Sequence, residues 1–428
     1  MLPIGGCQMN QTKNWDWNTA EKIVSLKEWG DEANWVEDFQ ISGDGEQVAA
    51  IVNIGPEEFS VRTGNGQWDT SFDKIWNLRF LLDGRLAAFV SIDGEWTVAV
   101  DDNPWENRFE YVWNLVSSQD GAHIAAAFQA DRKYGMVQDD APWEQTYYNI
   151  SEMAMSPDGS HTAASVQTVS LNEGEIGKFA AGVFTAALNG KAWNRNFTNV
   201  WKVAFHPSRE SIAAEIRLGR SDYTIAVDGI PWNRNYNAVW EPCYDPATGA
   251  VTAPVRIGSA WYLAENGDIL WDRGFVQLWH HLFSPDSRKI AAVVATDFGK
   301  WTIAVDGKPW RVNFDELVMD PVFSPDSQKL AAIVKNRGQW SIAVDGKVWD
   351  SHFDMTWKPV FSPDSQFAAV AVESEGGYTF ALNGRIWNDR YQAVRDPVFS
   401  PSGDKMLLRY IHDGRYFRKV ISTGDFPS

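Results

Sequence analysis

The segment Phe323–Trp349, FSPDSQKLAAIVKNRGQWSIAVDGKVW, is followed at Phe361–Trp387 by FSPDSQFAAVAVESEGGYTFALNGRIW. The two segments start 38 residues apart, and each ends on a tryptophan. Each one divides into short apolar runs separated by a Pro-Asp turn, a polar loop and a two-residue turn that ends in glycine. An Asp-Gly or Asn-Gly pair between apolar runs is typical of a β-hairpin. The repeat therefore predicts short strands joined by tight turns.

Similar turns occur ten times along the chain, and most of them are about 36–40 residues apart. They lie at 42–45, 82–84, 119–121, 156–159, 206–209, 245–249, 284–287, 324–327, 362–365 and 400–403. Each copy predicts four short strands, which we name a, b, c and d. Four strands in a repeat of ~39 residues are typical of a propeller blade. We expect an all-β fold, a closed β-propeller of about ten four-stranded blades, with two smaller propellers as the alternative.

Proline positions indicate which strands lie at the sheet edges. Proline has no N–H to donate to a ladder and is therefore confined to edge strands. Strands a contain Pro242, Pro321, Pro359 and Pro397, strands d contain Pro104, Pro142, Pro231 and Pro309, and one strand b contains Pro254. Strands a and d are therefore predicted to be the two edges of each blade.

The chain has 23 tryptophans, and 20 of them recur at fixed positions of the repeat. Nine lie in predicted strand d: Trp68, Trp105, Trp143, Trp193, Trp232, Trp271, Trp310, Trp349 and Trp387. Strands b instead carry Ala-Ala pairs. Blades are wedges, so small residues fit near the axis and large rings fill the wider gaps further out, where each buries ~150–250 Å². These tryptophans are expected in the core.

The final copy has no strand d of its own. We predict that residues 24–29, VSLKEW, supply it by pairing with the strand around Tyr416–Val420. The propeller would then comprise residues 24–428, after a tail of residues 1–23. Such closure removes an exposed sheet edge, which would otherwise favour aggregation.

Composition excludes several functions. The formal net charge is −18, and an acidic protein repels nucleic-acid phosphates. The two cysteines and seven histidines provide no haem or zinc spacing. The sequence contains no nucleophile elbow, P-loop, zinc-protease helix or dinucleotide motif. We expect no catalytic residue, no cofactor and no metal, and hence a protein that is not an enzyme.

The N-terminal residues lack the basic and apolar regions of a signal peptide, and no run of 18 apolar residues is present. The sequence therefore predicts a cytoplasmic protein without direct insertion into a membrane.

The fourth copy has an unusually long b–c loop, Gln167–Gly182. It is either a tolerated insertion or a finger that binds a partner, because varied loops on a regular scaffold commonly carry recognition. On the second interpretation, the candidate contacts are Glu173, Glu175, Lys178 and Phe179.

Three tryptophans fall outside the repeat register. Trp35 is expected to pack under the N-terminal strand. Trp15 and Trp17 lie in the polar tail, where they either fold back on the propeller or insert into a partner.

The FSPDS…LAA and W-x-IAVDG elements resemble TolB-type, WD40-like propeller repeats, over about residues 36–420. The abundance of tryptophan and the lack of an attached enzyme domain resemble the family of tryptophan-rich, WD40-like subunits found in the Tmc transmembrane electron-transfer complexes of sulfate-reducing bacteria. This resemblance implies a cofactor-free subunit on the cytoplasmic face of the membrane. It also implies two partners, an iron–sulfur heterodisulfide-reductase-like subunit and a membrane cytochrome b.

Two other functions stay open. The chain is alternatively a carbohydrate-binding or glycosidase-type propeller, in which tryptophans would form sugar platforms, or a general peptide-binding propeller. The tryptophan register argues against the sugar platform, because it places most of the rings in the core.

Overall fold

The structure is a computed structural model that describes residues 12–31 and 33–427. These residues form ten antiparallel sheets, each with strand positions in the order a–b–c–d. The predicted class, an all-β propeller of ten four-stranded blades, is confirmed. Within the described residues, helix is limited to Lys27–Asp31, Ile176–Ala180 and the 3₁₀ turns Thr12–Asn14 and Thr423–Asp425. None of the described helices has the length and apolar content needed to cross a lipid bilayer.

One compact unit comprises residues 33–43 and 47–270 and contains blades 1 to 6. Blade 1 comprises Trp35–Ile41, Val48–Gly55, Glu58–Thr63 and Gly66–Gln67, and blade 2 comprises Lys74–Phe80, Leu86–Ile92, Glu95–Val100 and Asn103–Pro104. Blade 3 comprises Tyr111–Ser117, Ile124–Ala130, Lys133–Gln138 and Ala141–Pro142, and blade 4 comprises Asn149–Met155, Thr162–Gln167, Phe184–Leu188 and Lys191–Ala192. Blade 5 comprises Asn199–Phe205, Ile212–Arg217, Tyr223–Val227 and Ile230–Pro231, and blade 6 comprises Ala238–Val239 with Cys243–Tyr244, Val251–Ile257, Ala260–Glu265 and Asp268–Ile269.

The other unit comprises residues 12–31, 44–46 and 271–427 and contains blades 7 to 10. Blade 7 comprises Gln277–Phe283, Ile290–Asp297, Lys300–Val305 and Lys308–Pro309, and blade 8 comprises Leu317–Phe323, Leu330–Asn336, Gln339–Val344 and Lys347–Val348. Blade 9 comprises Met355–Thr356 with Val360–Phe361, Ala368–Ser374, Gly377–Leu382 and Arg385–Ile386. Blade 10 comprises Ala393–Val394 with Val398–Phe399, Lys405–His412, Arg415–Ser422 and the N-terminal strand Glu21–Ser25.

Strands a and d are the edges of every blade, as the prolines predict. Strand a is divided into two pieces in blades 6, 9 and 10, and Pro242, Pro359 and Pro397 lie in the gaps. Each of these prolines removes an N–H from the ladder, so the pairing stops and then resumes. Pro254 is paired inside strand b of blade 6, opposite Leu263.

The N-terminal strand completes blade 10 by pairing with the strand that contains Tyr416, and Val24 lies opposite this residue. Its bounds are Glu21–Ser25, so the prediction of residues 24–29 was wrong in position. The ladder ends where the N–H of Leu26 donates to the carbonyl of Gly414. The chain then forms the short helix Lys27–Asp31, which buries Trp29.

The core follows the repeat. The Ala-Ala pairs of strands b are fully buried, as at Ala87 and Ala88. Except in blade 6, each repeat tryptophan directly follows a two-residue strand d, and its N–H still bonds to strand c, as from Trp310 to Ile303 at 2.8 Å. The ring then packs against the glycine of the next blade's c–d turn. This contact recurs in pairs Trp143–Gly190, Trp193–Gly229, Trp232–Gly267, Trp271–Gly307, Trp310–Gly346 and Trp349–Gly384.

The Ser-Pro-Asp turns between strands a and b are held by their own side chains. In blade 8 the Ser324 hydroxyl donates to the Asp326 carboxylate at 2.6 Å and accepts from the Lys329 amide at 2.8 Å. The same carboxylate accepts from the Gln328 amide. The aspartates of these turns are therefore turn-forming residues, as predicted.

Candidate functional site

The inserted loop of blade 4 is an ordered projection. The Thr168 N–H donates to the Val183 carbonyl at 2.9 Å, and the Thr168 hydroxyl donates to Asn196 Oδ1 at 2.9 Å. Between these anchors the chain forms the helix Ile176–Ala180. The loop thus leaves the blade through a hydrogen-bonded base and carries a helical turn at its far end.

The four candidate residues of this loop have different environments. The Glu175 carboxylate accepts from the Asn172 amide at 2.8 Å and lies 3.4 Å from Lys178 Nζ. The amide hydrogen bond, together with the lysine, holds the pKa of Glu175 below its usual value. Glu173 is exposed, whereas Phe179 is half-buried with its ring edge-on to Phe184 at 6.5 Å. Glu175 and Phe179 therefore support the loop itself, and Glu173 and Lys178 face solvent.

Two apolar side chains that the sequence analysis did not select are the most exposed on their loops. Ile176 opens the inserted helix and is 76% exposed. Phe298 lies at the tip of the b–c turn of blade 7 and is 92% exposed. Phe298 stands where other b–c turns carry a charged residue, as at Arg337 in blade 8, and Ile176 lies in the insertion of blade 4, so apolar residues within the b–c loops are the signal that points to both. Covering an isolated apolar side chain at a loop tip with a partner is favourable, because it removes apolar surface from water.

Trp15 and Trp17 fold back within the unit that contains blade 10. Their rings stack with centroids 6.2 Å apart, and the Trp17 indole N–H donates to the Thr12 carbonyl at 2.9 Å. Lys405 Nζ donates to the Trp17 carbonyl at 2.8 Å. Both rings are half-buried, so part of each surface stays accessible to a partner.

An aromatic cluster lies at the b–c end of blades 1 to 3. The rings of Trp76 and Trp96 meet edge to face at 6.4 Å, and both contact Tyr111, at 6.1 and 5.9 Å. Trp35 begins strand a of blade 1, edge-on to Phe59 at 5.7 Å. Trp35 is 48% exposed, so the expectation that it is buried under the N-terminal strand was wrong. Its strand position brings its ring to the loop end of the blade.

A pocket of about 610 Å³ opens among these rings. Its lining is largely aromatic and acidic: Trp35, Phe59, Trp76 and Trp96 together with Glu37, Glu57 and Asp73. Lys74 also lies on the lining and is exposed. Aromatic faces beside carboxylates form an environment suited to a cation, because ring quadrupoles and negative charges both attract positive charge.

Within residues 12–31 and 33–427, no group of three or more His, Cys, Asp or Glu side chains is placed to hold a metal ion. Burial raises the pKa of the Cys243 thiol to about 11, which disfavours the reactive thiolate.

Comparisons with known proteins describe only the likeness of the fold. No family model matches the sequence, and no curated protein matches it. Among solved structures, a crystal structure of the eukaryotic initiation factor is 13% identical, with a TM-score of 0.45, over 89% of this chain and 90% of that one. The structure of the Dos1 propeller is 10% identical, with a TM-score of 0.35, over 88% of this chain and 96% of that one.

Proposed function

We propose that this protein is a non-catalytic interaction scaffold that holds partner subunits through the b–c loops of its blades. The inserted loop of blade 4 is the observation that carries the proposal. It is anchored by backbone and side-chain hydrogen bonds, and it presents Ile176, 76% exposed, next to exposed charged residues. A preformed loop loses little conformational entropy on binding, which favours affinity.

The assembly we propose is a membrane-associated electron-transfer complex. The support is the resemblance of the tryptophan-rich repeats to the tryptophan-rich family of Tmc subunits, and the partners it suggests are an iron–sulfur heterodisulfide-reductase-like subunit and a membrane cytochrome b. The protein itself would carry no cofactor and would lie peripherally on the cytoplasmic side of the membrane. Its net charge of −18 disfavours direct binding to anionic lipid, so attachment would depend on partners.

The experiment is affinity purification of the tagged protein from membranes of its native host, followed by identification of the co-purifying subunits. Ile176→Asp places a charge on the proposed contact and should release the partners. Lys191→Gln, an exposed residue at the c–d turn of the same blade, is the matched control and should retain them. A protein that purifies alone, or that turns over a substrate by itself, would contradict the scaffold proposal. A complex without redox subunits would contradict only the assembly proposed for it.

A further inference from the structure

Blade 8 contains a lysine held between an aromatic ring and a carboxylate. Lys335 lies opposite Trp340 in the b–c pairing, with its Nζ 5.0 Å from the centroid of the Trp340 ring. The same Nζ lies 3.3 Å from Oε2 of Glu316. The other oxygen of Glu316 accepts the N–H of Gly338 in the b–c turn, so the carboxylate is fixed in place. The repeat therefore builds a cation site at this end of the blade and fills it from its own chain.

Blade 5 shows the same pairing with arginine. Arg217 lies opposite Tyr223, and its guanidinium carbon is 5.6 Å from the centroid of the tyrosine ring. A cation above a ring at these distances gains electrostatic energy from the ring quadrupole. The position on strand b that faces the aromatic residue of strand c is thus a cation position in two separate blades.

Blade 2 has the ring and the carboxylate of this arrangement but not the cation. Trp96 occupies the position of Trp340, and Asp73 occupies that of Glu316 and likewise accepts a b–c turn N–H, from Gly94 at 3.1 Å. The position of Lys335 holds Ser91 instead. In blade 1 the corresponding residue, opposite Phe59, is Asn53.

Asn53, the shorter residue of blade 1, lies on the lining of the 610 Å³ pocket of blades 1 and 2, whereas Ser91 is buried and does not line it. Its lining adds the rings of Trp35 and Trp76 and the carboxylates of Glu37 and Glu57 to those of Trp96 and Asp73. Lys74 is the cation on this lining, and none of the described rings or carboxylates is paired with it. The pocket therefore keeps an excess of negative charge around aromatic faces.

We propose that this pocket binds a lysine or arginine side chain of a partner protein, which takes the place that Lys335 occupies in blade 8. The proposal goes beyond the proposed function, since it concerns blades 1 and 2 and not the inserted loop. It rests on the proposed function only in taking the occupant to be a protein. A positively charged segment is also what a chain of net charge −18 attracts over a distance.

The test uses the full-length protein and a short glycine–serine peptide with one central lysine. Binding is followed by proton NMR of the lysine ε-methylene group, which ring currents of the tryptophans should shift upfield on titration. A matched peptide with norleucine should give no shift. Asp73→Asn should weaken binding about tenfold, as expected for the loss of one charged contact beside a cation–π contact. Glu265→Gln, on blade 6, is the control and should leave binding unchanged.

Two further variants test whether blade 8 is the correct template. Asn53→Lys, opposite Phe59 on the lining, supplies the cation from the chain itself and should abolish peptide binding. Lys335→Ser should create a second site on Trp340 and raise the stoichiometry from one peptide to two. Removal of Lys74 by Lys74→Ala should strengthen binding. Folding of each variant is checked by thermal unfolding, and Asp73→Asn and Lys335→Ser change surface side chains only.

Equal binding of the norleucine peptide, or an unchanged lysine signal with folded wild-type protein, would overturn the proposal. So would unchanged peptide binding by a folded Asn53→Lys variant. These outcomes do not depend on the partners of the inserted loop. If the pocket binds lysine selectively but the protein purifies without redox subunits, this inference is supported and the proposed complex is contradicted.

Discussion

The glycine at 346 rests directly on the indole of Trp310, and a Cβ added at Gly346 would lie 3.3 Å from Cγ of that ring. Gly346 also has φ of +77°, a conformation that costs an L-residue about 1–2 kcal/mol. Glycine is thus required at this position for two reasons, the positive φ of the turn and the close contact with the tryptophan of the preceding blade. This contact explains why tryptophan and glycine recur together through the repeat.

Gly346→Ala is therefore expected to lower the free energy of unfolding by about 1–3 kcal/mol, from the positive φ and the contact with the ring. Trp310→Ala should cost about 3–5 kcal/mol through the cavity it leaves. In the double variant the indole is absent, so the added Cβ no longer crowds it. The loss of unfolding free energy in the double variant should therefore be smaller than the sum of the losses in the two single variants. Urea unfolding of the four proteins measures this coupling. Strict additivity would show that the ring and the turn act independently.

The repeat made most of the fold predictable because each blade restates the same local chemistry. The turn residues, the edge prolines and the register of the nine tryptophans were all visible in the sequence. A second pattern was present and not used, an aromatic residue four positions after each of these tryptophans, as in Trp310 and Phe314. The structure shows Phe314 buried and bridged to Trp301 of strand c. This bridge continues the blade edge beyond the two-residue strand d.

The binding surfaces were less predictable, because they depend on which side chains of neighbouring blades meet. Trp35 and Trp76 are far apart in sequence, and their common pocket follows from the packing of blade 1 beside blade 2. Ile176 was not predicted, because its exposure follows from the helical turn Ile176–Ala180 within the inserted loop. The bounds of the N-terminal strand were misplaced because the chain turns into a helix before Trp29, which no other blade does at this position.

Removal of residues 1–25 should expose the strand Arg415–Ser422, which pairs with Glu21–Ser25. The deletion also removes one partner of the fully buried Arg418, which donates to the Asp16 carbonyl, while its contacts with the Asp44 carbonyl and the Glu46 carboxylate remain. An unpaired edge beside a buried arginine favours intermolecular strand pairing. We expect aggregation and an earlier elution in size-exclusion chromatography.

A shorter deletion, of residues 1–11, is the matched control. It leaves all of these contacts in place, since they begin at Thr12, where the carbonyl accepts the Trp17 indole N–H. The shorter protein should elute and melt like the full chain. Wild-type behaviour of the longer deletion would show that the N-terminal strand is dispensable for blade 10.

The Ser-Asp turns should make the stability of the folded protein depend on pH in the acidic range. Hydrogen bonds from the Ser156 and Ser160 hydroxyls, and from the Ser160 amide, lower the pKa of Asp158 to about 2. A carboxylate with a depressed folded pKa contributes stability above its unfolded value of 3.8, and this contribution is lost as the pH falls towards 2. Asp158→Asn should therefore destabilise the protein at pH 6 and lose its effect near pH 2. Thermal unfolding across this range checks the convergence; a constant difference would mean that the charge plays no part.

Glu215 should give the opposite dependence at higher pH. It lies in strand b of blade 5, opposite Trp201 and Ile225, where most other blades carry apolar residues. Burial, and then the nearby charges of Glu241 and Glu152, raise its pKa to about 8. Between pH 4.5 and about 8 the folded protein thus keeps a proton on Glu215. In the unfolded chain this carboxyl has lost the proton, because its ordinary pKa is 4.5. Stability from this group is fully present below that value and is lost as the pH rises towards 8.

Glu215→Gln keeps the shape of the side chain and removes the titration. We expect it to change stability little at pH 4.5, and to raise the free energy of unfolding at pH 8–9 by on the order of 1–3 kcal/mol, since each unit of pKa shift corresponds to about 1.4 kcal/mol and partial exposure reduces the effect. Urea unfolding at both pH values measures the difference. Glu265→Gln, whose carboxylate lies on the c–d side of blade 6, is the control and should show no such pH dependence. If the wild type and Glu215→Gln lose stability in parallel between pH 5 and 8, the carboxylate is already ionised in the folded protein, and the burial of a proton at this position is refuted.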